Sequence, residues 1–490
     1  MKKINFKYCH IAILILGTIF IALSIFHTNM WFDESYSVAI VKHSFSEIWQ
    51  IGSKDVHPIL YYFCLHALNL IFGNNLIVYR IFSATTIALL GLLGYTHIRK
   101  DFGEKTGILF SFFALFLPVA AQYAGEIRMY SLGMLLGTIM AIYAYRIYIG
   151  NIHKTTYLFF GLSSLAVAYT HYYGLMLAGI VNLLLLIYLC KNHKQRKSDL
   201  KKFIITAVLQ VLGYLPWLLH FIKQVSGVSK GFWITLSFPG TLYDILTIQY
   251  QGNLKYAPII LSTLLYAYLI YLISRTEKKE RKPAIWCLEI YVSIILAALL
   301  ISLVMHSAIL LSRYLLISTG LLIFALAFFI ARDKKSWRAI LVCIIVLVMS
   351  GISNRKIVQE NYAVANREWF QYMQSTIQAD DIIVYRNAIN GAVVTTELSN
   401  ICNNQSYFYD KEHWNVDEPY KSYGPYMQIK DTLEEILENY KGRIWLIESG
   451  NMHELKDEIA EKYDITVIEE KQFEVPYRNY AYTIELIEKR

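Results

Sequence analysis

Uncharged apolar runs of about twenty residues recur along the first 352 positions, and no other feature limits the fold of this chain so strongly. They lie at about 10–27, 76–97, 106–122, 129–148, 156–172, 174–190, 203–222, 256–274, 284–304, 309–330 and 337–352. A helix rises 1.5 Å per residue, so each run suffices for a hydrocarbon core of roughly 30 Å. With 56% hydrophobic residues in 490, the chain reads as a multi-pass α-helical integral membrane protein. The first run follows Lys2, Lys3 and Lys7, and Asn29-Met30-Trp31 is a poor cleavage site. It is expected to be an uncleaved anchor.

Charge placement sets the expected topology. Residues 58–73 are apolar but short, and hold His66 and Asn69. If this piece lies along the surface as a juxtamembrane helix, the loops on the N-terminal side hold 23 Lys/Arg and the opposite loops 7. If it spans, all the basic loops but the first change sides. The positive-inside rule selects the first arrangement. It gives about 11 spans, a cytoplasmic N-terminus and an extracytoplasmic C-terminal region. Asp33, Asp55, Glu126, His171 and Arg313 then all reach the outer boundary.

Two domains are expected, 1–352 in the membrane and 353–490 outside it. Residues 353–490 hold 15 Lys/Arg against 24 Asp/Glu, a balance of −9 within a whole-chain charge of +9. The basic membrane part reflects topology and a bilayer of anionic lipid, with no nucleic acid as partner. In the tail, 381–385, 443–447 and 465–468 read as strands, and 429–440 and 452–463 have helical periodicity. A small C-terminal α/β domain follows. It carries no Gly-rich phosphate loop, His/Cys metal cluster or nucleophile elbow, which leaves a packing, acceptor-docking or partner role. Of six cysteines only Cys402 is in the tail, so no disulfide framework is implied.

Chemistry-bearing residues cluster in the expected outer loops. Trp31-Phe32-Asp33-Glu34-Ser35-Tyr36 places two acids in an aromatic setting. Asp33 can act as a general base for an acceptor hydroxyl, or can cap a short helix starting at Ser35. In Asp55-Val56-His57-Pro58, the acid and the imidazole can ligate a divalent ion or grip a phosphate; a capped surface helix with a solvated histidine is the plainer reading. Glu126, Arg128 and Tyr130 share the second loop, where the Arg128 guanidinium matches phosphate oxygens or pairs internally with Glu126. Thr170-His171-Tyr172 caps the third turn, and Arg313-Tyr314 begins a late span; an interfacial aromatic belt and a snorkelling arginine are the alternatives. The long loop 223–255 carries Lys223, Lys230, Phe232, Trp233, Tyr243 and Tyr250, suited either to sugar stacking or to a membrane surface.

The set, in this order, resembles the polyprenyl-phosphate-dependent GT-C glycosyltransferases, more narrowly the bacterial branch related to protein O-mannosyltransferases and to the aminoarabinose transferase of lipid A. The matching elements are Trp31-x-Asp33-Glu34-x-Tyr36, Asp55-x-His57-Pro58 with Leu60-Tyr61-Tyr62, Gln122-x-x-x-Glu126-x-Arg128-x-Tyr130, Thr170-His171-Tyr172 and Arg313-Tyr314. The resemblance covers residues 1–330. It implies inverting sugar transfer from a polyprenyl-phosphate donor, with Asp33 as base and Glu34 as its partner. The acceptor would be a hydroxyl on a glycolipid, a wall polymer, a protein or a glycan. The family's double proline after the histidine is Pro58-Ile59 here. Metal use varies among relatives, so a divalent cofactor stays unassigned, with Asp55 and His57 as candidates. Two other classes compete: a lipid-linked sugar flippase or transporter, which calls for charges near the bilayer midplane, and an oligosaccharide ligase, which calls for an Arg-rich large loop.

Overall fold

The computed structural model describes residues 6–229, 234–250, 256–386, 388–399, 404–409 and 422–490. Its contacts divide into two compact units. The first comprises Met1–Phe26, Val56–Tyr61 and Val78–Arg355; the second comprises His27–Asp55, Tyr62–Ile77 and Lys356–Arg490.

The first unit is helical and the protein is a multi-pass membrane protein. Among the described residues, eight helices are long and apolar enough to cross a bilayer. The pair Glu104–Phe116 and Pro118–Ala124, bent by 56°, is apolar enough to make a ninth when taken as one broken span. The break falls at Pro118, whose missing N–H costs nothing at a helix start. Two of the other expected runs form shorter apolar helices, Phe6–Ala22 and Thr156–Ala168. The run expected at 203–222 belongs to a longer helix, Lys197–Val228, so Lys223 is helical. Tyr243 lies in a short helix, Gly240–Leu246, and Tyr250 ends a one-turn helix. Lys230, Phe232, Trp233 and Cys402 lie outside the described residues. The 58–73 segment forms helix Leu60–Phe72. At 13 residues it is about 20 Å long, short of a full crossing.

In the central helix, Ser312–Ile330, nearly every residue is buried. It is apolar all round, as a helix surrounded by others must be. Close approach to helix Tyr130–Ile149 depends on Gly320, where a Cβ would stand 1.9 Å from Thr138 Oγ1. Small residues let membrane helices meet backbone to backbone. In the hairpin of Thr156–Ala168 and Tyr172–Lys191, Gly174 does the same; a Cβ there would stand 2.2 Å from the Val167 carbonyl oxygen.

In the second unit a six-stranded sheet has the order β3-β2-β1-β4-β6-β5, with β1 Ile382–Tyr385, β2 Ser406–Tyr409, β3 Gln428–Lys430, β4 Gly442–Ser449, β5 Ile465–Val475 and β6 Tyr480–Lys489. The first four are parallel; β6 runs antiparallel between β4 and β5. Ile382, Val384, Ile444 and Leu446 point to one face, against Leu433, Leu437, Leu455 and Ile459. On the other face Trp445 meets Tyr372, with ring centroids 5.7 Å apart. Burial on both faces explains the continuous apolar runs in β1 and β4. The helix expected over 429–440 is confined to Leu433–Leu437, because β3 takes residues 428–430.

Candidate functional site

Four turns of the first unit bring together residues far apart in sequence. His57 precedes helix Leu60–Phe72, and the amide of Leu60 is tied to the Tyr169 carbonyl at 2.9 Å. Arg128 and Tyr130 sit where Tyr130–Ile149 begins, His171 is the N-cap of Tyr172–Lys191, and Arg313 and Tyr314 open the central helix. The rings form one cluster. His171 lies 4.8 Å from Tyr314, 5.6 Å from His57 and 6.0 Å from Tyr130. Tyr130 stacks on Tyr314 at 6.4 Å, and the Arg313 guanidinium is 5.9 Å from the same tyrosine ring.

The state of His171 follows from its surroundings. Its Nδ1 accepts the amide of Tyr173 at 3.1 Å, so in the neutral ring Nε2 carries the proton. That Nε2 is buried and has no hydrogen-bond partner among the described residues. Burial, then the nearby His57, Arg128 and Arg313, holds the imidazole well below the ordinary histidine range. The ring is therefore a neutral donor among cationic guanidinium groups.

A cavity of about 460 Å³ opens beside this cluster. His57, His171 and Tyr314 line it together with Met176, Phe221, Val228, Ile301 and Met305. Tyr172 is on its wall, donating to the Gln224 side chain and accepting from Trp217 Nε1 at 3.1 Å. A polar, cation-rich group beside an apolar cavity suits an amphiphile with an anionic head.

Arg80 belongs to this region although the sequence reading passed over it as part of a span. It is fully buried, and its guanidinium donates to the Gly125 carbonyl, next to Glu126 in the turn that carries Arg128. A charge in the first turns of an apolar run was the available signal, because ionisable groups at such positions are costly. Glu126 itself is buried.

The acid pair and Asp55 fall in the second unit. Helix Phe32–Ile40 starts before Asp33, which is its second residue, so Asp33 is not the cap of a helix starting at Ser35. Glu34 is fully buried and accepts the Trp31 amide at 3.3 Å. Asp55 is 7% exposed and its amide is bonded to the Gly52 carbonyl at 3.2 Å.

One group of potential metal ligands stands out among the described residues: His453, Glu470 and Glu485, whose ligand atoms lie within 4.8 Å of one another. Lys456 is already 2.7 Å from Glu485 and 3.2 Å from Glu470. An ammonium thus supplies the positive charge there.

No protein-family model and no curated protein matches the sequence. Solved structures do match. ArnT from Cupriavidus metallidurans in the apo state is 10% identical, with a TM-score of 0.63 and 97% of each chain covered. The same protein bound to undecaprenyl phosphate is 11% identical, with a TM-score of 0.61 over 99% of this chain and 98% of that one. The Archaeoglobus fulgidus oligosaccharyltransferase, crystallised with zinc and sulfate, is 10% identical at a TM-score of 0.47, covering 89% of this chain and 68% of that one. Over nearly its whole length, then, this chain shares the fold of ArnT.

Proposed function

We propose that this protein is a membrane glycosyltransferase that moves a sugar from a polyprenyl-phosphate donor to a hydroxyl acceptor at the extracytoplasmic face. The observation that carries the reading is the neutral His171 donor among His57, Arg128 and Arg313 beside the 460 Å³ apolar cavity. The ArnT likeness, seen also with undecaprenyl phosphate bound, adds support.

In this mechanism the prenyl chain lies in the cavity, and the phosphate is held by Arg128, Arg313 and the His171 Nε2–H. Asp33 takes the proton of the acceptor hydroxyl as its oxygen attacks the anomeric carbon. The carbon–oxygen bond to the phosphate breaks, the polyprenyl phosphate leaves, and the configuration inverts. Fixed cations and donors stabilise the charge that grows on the leaving phosphate. The base contributes about 10²–10⁴-fold. Asp55 and His57, one oxygen and one nitrogen donor, are the proposed ligands of a divalent ion where one takes part.

The test is transfer and binding in proteoliposomes. Undecaprenyl phosphate should bind to the purified protein, and undecaprenol, which lacks the phosphate, should bind much more weakly. Asp33→Asn should abolish transfer and keep binding. Equal affinity for the two lipids overturns the donor assignment, and near-normal turnover by Asp33→Asn overturns the base. Envelope glycans of a deletion strain would name the sugar and the acceptor by what they lack.

A further inference from the structure

The second unit joins the acid-bearing helix to the far end of the chain. Between β5 and β6 runs a turn, Tyr477–Asn479. The Tyr477 hydroxyl donates to Glu34 Oε2 at 2.8 Å, and the Phe32 amide donates to the Tyr480 hydroxyl at 3.0 Å. The Arg478 guanidinium lies 4.8 Å from the ring of Trp31. A second tyrosine of the tail, Tyr423, shares a 2.9 Å hydrogen bond with Ser35. Trp31, Phe32, Glu34 and Ser35 are therefore each held by groups more than 380 positions away, on both sides of Asp33.

The grip is buried and built at a cost. Glu34 and Ser35 are fully buried, Tyr477 is 5% exposed and Tyr423 1%. Arg478 and Asn479 adopt φ of 61° and 53°, the left-handed region that side chains disfavour. Two such residues in succession persist only where the surroundings over-determine them. Here the determinants are two contacts of Tyr477: its amide is fixed by Asn366 Oδ1 at 2.9 Å, and its ring stands 5.2 Å from His27.

We propose that the Tyr477–Tyr480 turn is a positioning element of the reaction: it fixes Glu34 and the first turn of helix Phe32–Ile40, and thereby the orientation of the neighbouring Asp33 carboxylate. The proposal rests on the reading of Asp33 as base. It makes the tail a working part of the acid loop, and Tyr477 a positioning residue that touches no substrate.

Tyr477→Phe in the full-length protein removes one hydroxyl and keeps the ring. Amide exchange at residues 32–36 should rise at least tenfold, with the amides of β1 and β4 unchanged. In proteoliposomes kcat should fall about tenfold, with KM for the lipid donor and the affinity for undecaprenyl phosphate unchanged. Arg478→Gly, which suits the backbone and leaves Trp31 uncovered, should keep the melting temperature and lower kcat. Unchanged exchange at 32–36 overturns the proposal. So does wild-type kcat in Tyr477→Phe while Asp33→Asn is inactive, or a loss shared equally by kcat and donor affinity. If Asp33→Asn stays active, the base assignment fails instead, and the exchange measurement still decides whether the turn holds the helix.

Discussion

The imidazole of His171 accepts the amide of Tyr173 at 3.1 Å, two residues ahead in its own chain. This short-range bond caps the helix and at the same time directs the ring's only proton to the opposite nitrogen, Nε2. One local contact thus serves both the fold and the chemistry.

His171→Ala should weaken undecaprenyl phosphate binding. A hydrogen bond to a charged group is worth about 1.5–3 kcal/mol, or roughly 10–100-fold in affinity. His171→Gln, which offers an amide N–H near the same place, should recover part of it. Because burial keeps the His171 pKa well below the ordinary value, the ring stays neutral to lower pH than an ordinary histidine. The ratio of wild-type to His171→Ala affinity should therefore be flat between pH 6 and pH 8. Lipid titration by native mass spectrometry at the two pH values checks this. A ratio that grows toward pH 6 would mean that the protonated ring does the binding.

Arg80→Met should loosen the turn that carries Glu126 and Arg128. The Gly125 carbonyl would lose a charge-assisted partner, a change of about 1.5–3 kcal/mol for one such bond. Lower thermal stability in detergent and weaker donor binding should appear together. Arg80→Lys keeps the charge but not the planar fork, so it should fall between. Wild-type stability and binding in Arg80→Met would show that the buried guanidinium supports neither.

Much of the membrane unit was legible because crossing a bilayer leaves a coarse, long-wavelength signal. The bent pair near Pro118 showed as a single apolar run, whereas the short apolar run that forms helix Leu60–Phe72 was ambiguous by length and was set along the surface by charge counting. Charge counting put Asp33, Asp55, Glu126, His171 and Arg313 at one boundary; of these, His171 and Arg313 both lie beside the Tyr314 ring in the first unit. In the tail, β1 and β4 announced themselves as runs of Ile, Val and Leu. Strand β6 did not, since Thr483 and Glu485 sit fully buried inside it and read as polar. The turn at Tyr477 was illegible for another reason: no periodicity or spacing links it to Glu34, and only the folded sheet delivers it. Arg80 was missed because its apolar neighbours dominated the average over its span.

Gly320→Ala should destabilise the first unit by about 1–3 kcal/mol, the usual cost of overpacking. The added methyl would stand 1.9 Å from Thr138 Oγ1, which forces helices Ser312–Ile330 and Tyr130–Ile149 apart. Arg313 and Tyr314 start the first of these helices and Tyr130 the second, so donor affinity should fall with stability. Adding Thr138→Ala removes the clashing hydroxyl and should restore most of both. A double variant no better than Gly320→Ala would place the strain elsewhere.

Glu448 supplies a prediction for the tail that is independent of catalysis. It is 1% exposed, and both its oxygens accept the Leu455 amide at 3.1 Å, at the start of helix Glu454–Lys462. Burial, and more weakly the nearby Glu485, raises its pKa above the ordinary glutamate value, against the Leu455 bond and Arg386, which lower it. The folded form then holds its proton to higher pH than the unfolded chain does. Its contribution to stability is complete below the unfolded pKa and is lost as pH rises through the folded one. Glu448→Gln cannot ionise and keeps an acceptor for Leu455. The variant should match wild type near pH 4 and exceed it near pH 7.5, read as amide-exchange protection of β4 at the two pH values. A gap that stays constant with pH, or one that favours wild type at pH 7.5, would mean that the buried carboxylate is better solvated by its neighbours than the burial of its side chain implies.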